Sequence, residues 1–240
     1  MFQNYDGCSG HLEEIKPTID MKDFAVVLDP AHGSNVAGKG SPDGLKGNKE
    51  SQYYFREYQW SREFCKYYLE PRLKSYGIHV FYTVDPDNEY EPGLSKRVEI
   101  TNQIIKNNPD LHFVFLSPHV NAAGDGKEYK VATGWCIYTT KAENNSDILA
   151  DFIMKEAEYN LPLLQKKIRK YKNEYMRKDY EENFTVIYGA NCPAVLTENF
   201  FQDCKSDVLW LKSAEAKEVL CEIHVDGILN YFKLKYPDEI

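Results

Sequence analysis

Phe24-Ala-Val-Val-Leu28-Asp29-Pro30-Ala31-His32-Gly33 is the stretch that decides the fold. Five consecutive apolar residues with valines at their centre predict a buried strand. Asp29 to Gly33 then predict a loop leaving the strand's carboxyl end, with an imidazole in it. Outward from there the chain alternates. Residues 33–49, rich in Gly, Ser, Asn and Lys, read as a long loop. A helix is expected over about 51–75, with Trp60, Phe64, Tyr67 or Tyr68, and Leu69 facing inward, interrupted near its end by Pro71. Gly77 closes it, and 78–83 reads as the next strand. Leu94 opens an amphipathic helix through Val98, Thr101, Ile104 and Ile105. Residues 113–116 read as a strand stopped by Pro118, and 134–139 as a fourth. A long helical stretch is expected over 146–177 with Pro162 near a helix start. Val186-Ile187 and 194–197 read as the last strands, and 213–232 as a closing helix. Strands alternating with helices predict one α/β domain, with a mixed, mostly parallel central sheet flanked by helices. Its expected limits are 23–236, after an N-terminal extension over 1–22.

The 240 residues carry 29 Lys+Arg against 37 Asp+Glu, a formal net charge of −8, which argues against a nucleic-acid partner. With 18 Tyr, 12 Phe and 3 Trp, the chain is far too aromatic for a disordered segment. No apolar run is long enough to span a membrane. The N-terminus has neither a basic n-region nor an apolar h-region, so no signal peptide is expected. Cys8, Cys65, Cys136, Cys192, Cys204 and Cys221 form no C-x-x-C pair and are expected to be reduced.

Ligands of open α/β sheets bind outside the carboxyl ends of the strands. Three strand ends carry chemistry here: Asp29-Pro-Ala-His32-Gly33, Ser117-Pro-His119-Val-Asn121 and Thr197-Glu198-Asn199. Two imidazoles and a carboxylate on one sheet edge form a donor set that suits Zn²⁺. His11, His79, His112 and His224 lack such a place and read as ordinary loop or core residues. Gly33 to Lys39 matches G-x-x-x-x-G-K. A phosphate loop next needs Ser or Thr and then a helix, whereas Gly40 and the turn 41–44 follow, so these residues read as a site rim. Cys136 and Cys192 read as buried structural thiols rather than nucleophiles.

At these residues the sequence resembles the type-3 class of zinc-dependent N-acetylmuramoyl-L-alanine amidases. Their Asp-x-Gly-His-Gly is similar to Asp29-Pro-Ala31-His32-Gly33. The family's ligand Glu at the head of a long helix ending in Gly is similar to Glu57 and the run to Gly77. Leu94-Ser-Lys-Arg97 to Asn102, Ser117-Pro-His119-Val-Asn121-Ala122 and Pro193-Ala-Val-Leu196-Thr-Glu198-Asn-Phe200-Phe201 follow in the family's order. Ala31 and Phe200 stand where the family usually has glycine. The resemblance implies one zinc ion held by His32, Glu57 and His119, with Glu198 as the catalytic carboxylate. Glu57 matches better than Glu50 or Glu63 because of its distance to Gly77.

The implied activity is hydrolysis of the amide between N-acetylmuramic acid and the L-alanine of the peptidoglycan stem peptide. Glu198 would take a proton from the attacking water and return it to the departing amine. The same site would also serve a zinc amidase or peptidase with another amide substrate, or lie dead in a binding or scaffold protein. Without an export signal, the expectation is a stand-alone catalytic domain such as a phage or prophage endolysin. It would be made in the cytoplasm and reach the cell wall after membrane permeabilisation; a bacterial wall-remodelling enzyme is the alternative. The stretch 155–178 holds eight basic residues among acidic ones. It reads as a solvated helix face that could border the substrate cleft.

Overall fold

Every side chain of β1 (Phe24–Leu28) is buried, but the five do not meet one core. Phe24, Val26 and Leu28 join the larger apolar cluster, whereas Ala25 and Val27 join a second cluster on the other side. This period-two split places β1 inside a sheet covered on both faces, which explains why its sequence is apolar without alternation. The structure, a computed structural model, describes residues 21–170 and 178–239.

After β1 come α1 (Pro42–Leu45), α2 (Glu57–Phe64), a π-helical turn (Cys65–Leu69) and α3 (Glu70–Ser75). Then follow β2 (His79–Tyr82), α4 (Leu94–Asn107), β3 (His112–Asn121), β4 (Cys136–Thr139), α5 (Asn145–Leu163) and β5 (Tyr180–Glu181). The chain continues through α6 (Thr185–Tyr188), β6 (Ala194–Phe201), α7 (Lys205–Leu211) and α8 (Ala214–Lys235). The strand order is β2-β1-β3-β6-β4-β5. β2, β1, β3 and β6 run parallel, β4 is antiparallel to β6, and β5 is parallel to β4. The α/β class and the mixed, mostly parallel sheet are as the sequence predicts. Trp60, Leu73, Ile153 and Ile228 bring α2, α3, α5 and α8 onto one face. Ile104, Ile105, Val186 and Ile187 bring α4 and α6 onto the other. Gly227 lets α8 lie against α5, since a Cβ there would stand 2.6 Å from Ile153 Cα.

Several elements differ from the sequence reading, each for a physical reason. The helix expected over 51–75 begins at Glu57, and Pro71 does not break it. Glu70 N donates to Cys65 O, and this wider π turn ends just before Pro71. A regular α-turn would drive the proline ring into the carbonyl four residues back. Tyr68 rather than Tyr67 packs on the core, and Tyr67 is exposed. β3 runs through Pro118 to Asn121. Asp29 N donates to Leu116 O, and β1 then turns away, so Pro118 has no ladder bond to break on that side.

Pro162 lies in the last turn of α5, not near a helix start, and the i→i−4 donor it removes falls where the helix is about to end. Residues 164–170 are therefore not helical. Ile168 instead bridges Trp135, and Arg169 N donates to Trp135 O. The basic stretch 155–178 is thus no single helix, and its residues 171–177 lie outside the described residues. Val186 and Ile187 form the short α6 instead of a strand, since two apolar residues are too few to carry a period. Residues 1–20 also lie outside the described residues. Met21, assigned to the extension, is fully buried in the larger cluster and its N–H donates to Tyr76 O.

Candidate metal centre

His32, four residues beyond β1, takes a left-handed backbone with φ 53°. That conformation costs an L-residue roughly 1–2 kcal/mol, so something must hold it. Arg62 of α2 does so, donating Nη1 to His32 O at 2.5 Å. Ala31, where glycine is usual, keeps an ordinary negative φ, so no glycine is needed there.

His119 lies in β3 opposite Glu198 of β6, and paired residues on adjacent strands project from the same sheet face. Glu198 therefore lies within its strand, not beyond its end as expected from sequence. Immediately afterwards the register shifts, with Asn121 aligned on Phe201. Asn199 and Phe200 thus stand against Val120 alone, and Phe200 has φ 65°. Its ring is fully buried against Trp210, with centroids 4.8 Å apart. Burial of the ring contributes about 2 kcal/mol, enough to offset the backbone strain that glycine would avoid.

Glu57, the first residue of α2, reaches both imidazoles. Its Oε1 lies 3.1 Å from His119 Nδ1 and 3.7 Å from His32 Nε2, and accepts from Val120 N at 2.9 Å. The two imidazole rings meet edge-on at 4.8 Å. One donor atom from each of His32, Glu57 and His119 lies within 4.8 Å of the others. Neither alternative carboxylate competes: Glu50 is exposed, and Glu63 pairs with Lys217 at 2.5 Å. Burial pushes the His32 imidazole down to about 3, so it is neutral and its lone pair is available. Burial opposes ionisation of Glu57, but the hydrogen bond with His119, helped by the Lys39 charge, holds its carboxyl below the usual range. Glu57 Oε2 is buried and makes no hydrogen bond. Two imidazoles and an ionised carboxylate with an orphan oxygen fit a divalent metal ion.

Glu198 differs from Glu57. Burial, then the neighbouring Glu57 carboxylate, pushes its carboxyl well above the usual range, against the fields of Lys39 and Arg169. Its Oε2 is also buried without a hydrogen bond. Two carboxylates side by side are thus driven apart, one ionised and one inclined to keep a proton.

Asp29 anchors the edge from behind. Both its oxygens accept from Arg97, while Thr83 and Ser117 donate to it as well, Ser117 at 2.7 Å. Arg97 Nη1 also reaches Glu91 Oε2 at 2.9 Å. The ends of β1 and β2, the middle of β3 and the start of α4 therefore meet on one buried carboxylate.

A second buried chain supports His119 and Glu198. Trp135 Nε1 donates to Asn199 Oδ1 at 3.0 Å, and Asn199 Nδ2 donates to His119 O at 3.0 Å and to Thr197 Oγ1 at 3.1 Å. Thr197 Oγ1 lies 2.9 Å from His224 Nε2, and His224 Nδ1 lies 2.5 Å from Leu220 O. Nδ1 therefore carries the proton and Thr197 donates to Nε2.

Burial lowers His224 from 6.5 to about 4. A depressed histidine stabilises the fold above its unfolded value, and this contribution is lost as pH falls from 6.5 towards 4. Between pH 7.5 and 5 the loss is about 2 kcal/mol. Urea unfolding at both pH values should show that difference between the wild type and His224→Gln. An identical pH dependence in the two would disprove it.

Of the remaining histidines, His79 and His112 stand apart from the metal centre. His79 is exposed on β2, and His112 pairs with Glu239 at 2.8 Å; His11 lies outside the described residues. The five described cysteines are free, and burial pushes the Cys136 and Cys192 thiols up to about 12. They are poor nucleophiles. Gly33 to Lys39 forms a loop, with α1 beginning only at Pro42.

The sequence profile of the N-acetylmuramoyl-L-alanine amidase family matches residues 26–230. The chain belongs to that family. An endolysin from Bacillus phage SPP1 is 27% identical over 215 residues, which cover 88% of this chain and 66% of the relative. The chain thus spans about two thirds of that endolysin's length. The crystal structure of an N-acetylmuramoyl-L-alanine amidase from Clostridium difficile 630 superposes with a TM-score of 0.68 at 25% identity, covering 89% of this chain and 99% of that one. The catalytic domain of another amidase, from Bacillus (Paenibacillus) polymyxa var. colistinus, shares the fold with a TM-score of 0.66 at 21% identity, over 88% and 98% of the two chains.

Within this amidase-family fold, two residues that the sequence reading did not single out lie within electrostatic reach of Glu198: Lys39 and Arg169. Lys39 came into view only as part of a rejected phosphate loop. Arg169 lay in the basic stretch read as a helix, although it sits in the extended segment beside Trp135. A third, Asp203, accepts from Ala123 N at 2.9 Å and Gly124 N at 2.8 Å and so ties down the loop after β3. Isolated charged residues in loops carry no periodic signal by which to find them.

Proposed function

We propose that the chain is a zinc-dependent N-acetylmuramoyl-L-alanine amidase. It hydrolyses the amide between the lactyl group of N-acetylmuramic acid and the L-alanine of the stem peptide. The observation carrying this reading is the convergence of His32, Glu57 and His119 beside Glu198, with a buried orphan oxygen on each carboxylate. His32, Glu57 and His119 would hold the zinc ion. When bound, zinc acts as a Lewis acid that acidifies water and polarises the scissile carbonyl.

The chain's own residues do the rest. Glu198 accepts the proton of the attacking water. As the C–N bond breaks, the same carboxyl passes that proton to the departing alanine nitrogen. Its raised proton affinity suits it to keep the proton until the amine leaves, while Lys39 and Arg169 keep the carboxylate form within reach. Similarity to a phage endolysin supports a lysin acting on the cell wall. Among the described residues no helix is long and apolar enough to cross a membrane.

The test combines metal content with product analysis. Purified protein should contain close to one zinc per chain, and chelation should abolish release from purified peptidoglycan until zinc is restored. Mass spectrometry should find free stem peptides with N-terminal alanine and intact glycan. Cleaved glycan, or cleavage inside the stem peptide, would overturn the substrate assignment.

A further inference from the structure

Ser61 lies on α2 four residues after Glu57, on the same helix face, and is fully buried. Its hydroxyl accepts from Ala31 N at 2.8 Å and donates to Pro118 O at 2.8 Å. Ala31 immediately precedes His32, and Pro118 immediately precedes His119. One hydroxyl therefore joins the three chain segments that carry the three candidate metal ligands.

The backbone leaves both partners in need of such a group. The β1–β3 ladder ends where Asp29 N donates to Leu116 O, so Ala31 N and Pro118 O lie past its last rung. One is a donor and the other an acceptor, and a hydroxyl satisfies both at once, having one proton and two lone pairs. The next residue, Arg62, grips the same loop through His32 O. α2 thus holds the left-handed His32 from two sides while presenting Glu57 to it.

We propose that Ser61 is a positioning residue of the metal centre: its hydroxyl sets the spacing of His32 and His119 against Glu57, so that the three donors are assembled before metal arrives. This rests on reading the triad as the metal site. Groups one shell out from a metal typically contribute 10–100-fold in affinity. Loss of the hydroxyl leaves a buried N–H and a buried C=O unpaired, and the two loops are then free to move apart.

The experiment is zinc affinity by chelator competition on full-length protein, together with the visible absorption of the Co²⁺-substituted form. Ser61→Ala should bind zinc about 10–100-fold more weakly and show an altered Co²⁺ spectrum. Ser61→Thr, which restores a hydroxyl, should bind more tightly than Ser61→Ala. Circular dichroism and thermal melting of the metal-free proteins establish that each variant is folded. Should Ser61→Ala not fold, Ser61→Cys, similar in size and a weak hydrogen-bonding group, serves the same comparison.

Zinc affinity of Ser61→Ala within about twofold of wild type would overturn the proposal, as would a Thr variant no tighter than the Ala variant. A His119→Ala control separates this from failure of the metal-site reading. If His119→Ala binds zinc as tightly as wild type, the triad reading itself falls. If it loses zinc while Ser61→Ala keeps it, only the role of Ser61 falls.

Discussion

Glu198→Gln is expected to keep its zinc and its fold while losing peptidoglycan hydrolysis by about 10²–10⁴-fold, the range that proton transfer by a positioned side chain contributes. The substitution keeps the shape of a side chain facing His119 across the β3–β6 register. It removes the only property the mechanism uses, the ability to take and return a proton. Stability should change in the favourable direction if at all. A carboxyl whose affinity for protons is raised by burial and by Glu57 is costly to ionise in the folded state, and an amide escapes that cost. Rate measurements on purified peptidoglycan, with zinc content and melting temperature recorded for the same samples, check all three statements. Retained hydrolysis in a zinc-loaded, folded variant would remove Glu198 from the mechanism. Loss of zinc would mean that it belongs to the metal site instead.

Asp29→Asn should act on stability. The Asp29 carboxylate is fully buried, and although burial opposes its ionisation, the Arg97 charge and hydrogen bonds, then Thr83 and Ser117, hold it below the usual range. Arg97 is itself only 1% exposed, so replacing its partner leaves a buried guanidinium with Glu91 as its charged partner and a neutral amide in place of the Asp29 carboxylate. Breaking a buried pair from one side costs about 3–5 kcal/mol. For a domain of this size that lowers the melting temperature on the order of 10 °C. The effect should also reach the site, because Asp29 ties the end of β1, which leads to His32, to Ser117 of β3, two residues before His119. Urea titration reads the stability, and a loss below about 1 kcal/mol would show that the pair is dispensable.

Asp29 and Glu198 also show what kind of information the sequence holds. That both lie on the active edge was legible, because apolar runs such as Phe24–Leu28 mark buried strands and the polar residues that follow mark that edge, although Glu198 lies inside β6 and not beyond it. The same reasoning located His32 and His119. It failed where an element is decided by its neighbours. Pro118 reads as a strand terminator, yet β3 passes through it because β1 has already left that side. Pro71 reads as a helix break, yet a π turn absorbs it. Residues 164–170 read as part of a helix, yet they turn at Leu164 and Gln165 and then pair with Trp135 around Ile168, since Pro162 ends α5 one residue later.

The sequence by itself determined the α/β class, the edge of the sheet that carries chemistry, and the residue types there, since these follow from periodicity and from short motifs along the chain. Family motifs added Glu57, which periodicity alone does not distinguish from Glu50 or Glu63. The tertiary structure alone decided the geometry: that Glu57 touches both imidazoles, that Lys39 and Arg169 come near Glu198, that His224 supports Thr197, and that Ser61 ties Ala31 to Pro118. The physical reason is separation along the chain. These contacts join residues up to 159 positions apart (39 and 198) through single side chains, and a single polar side chain leaves no pattern in its own neighbourhood until the sheet brings its partner to it.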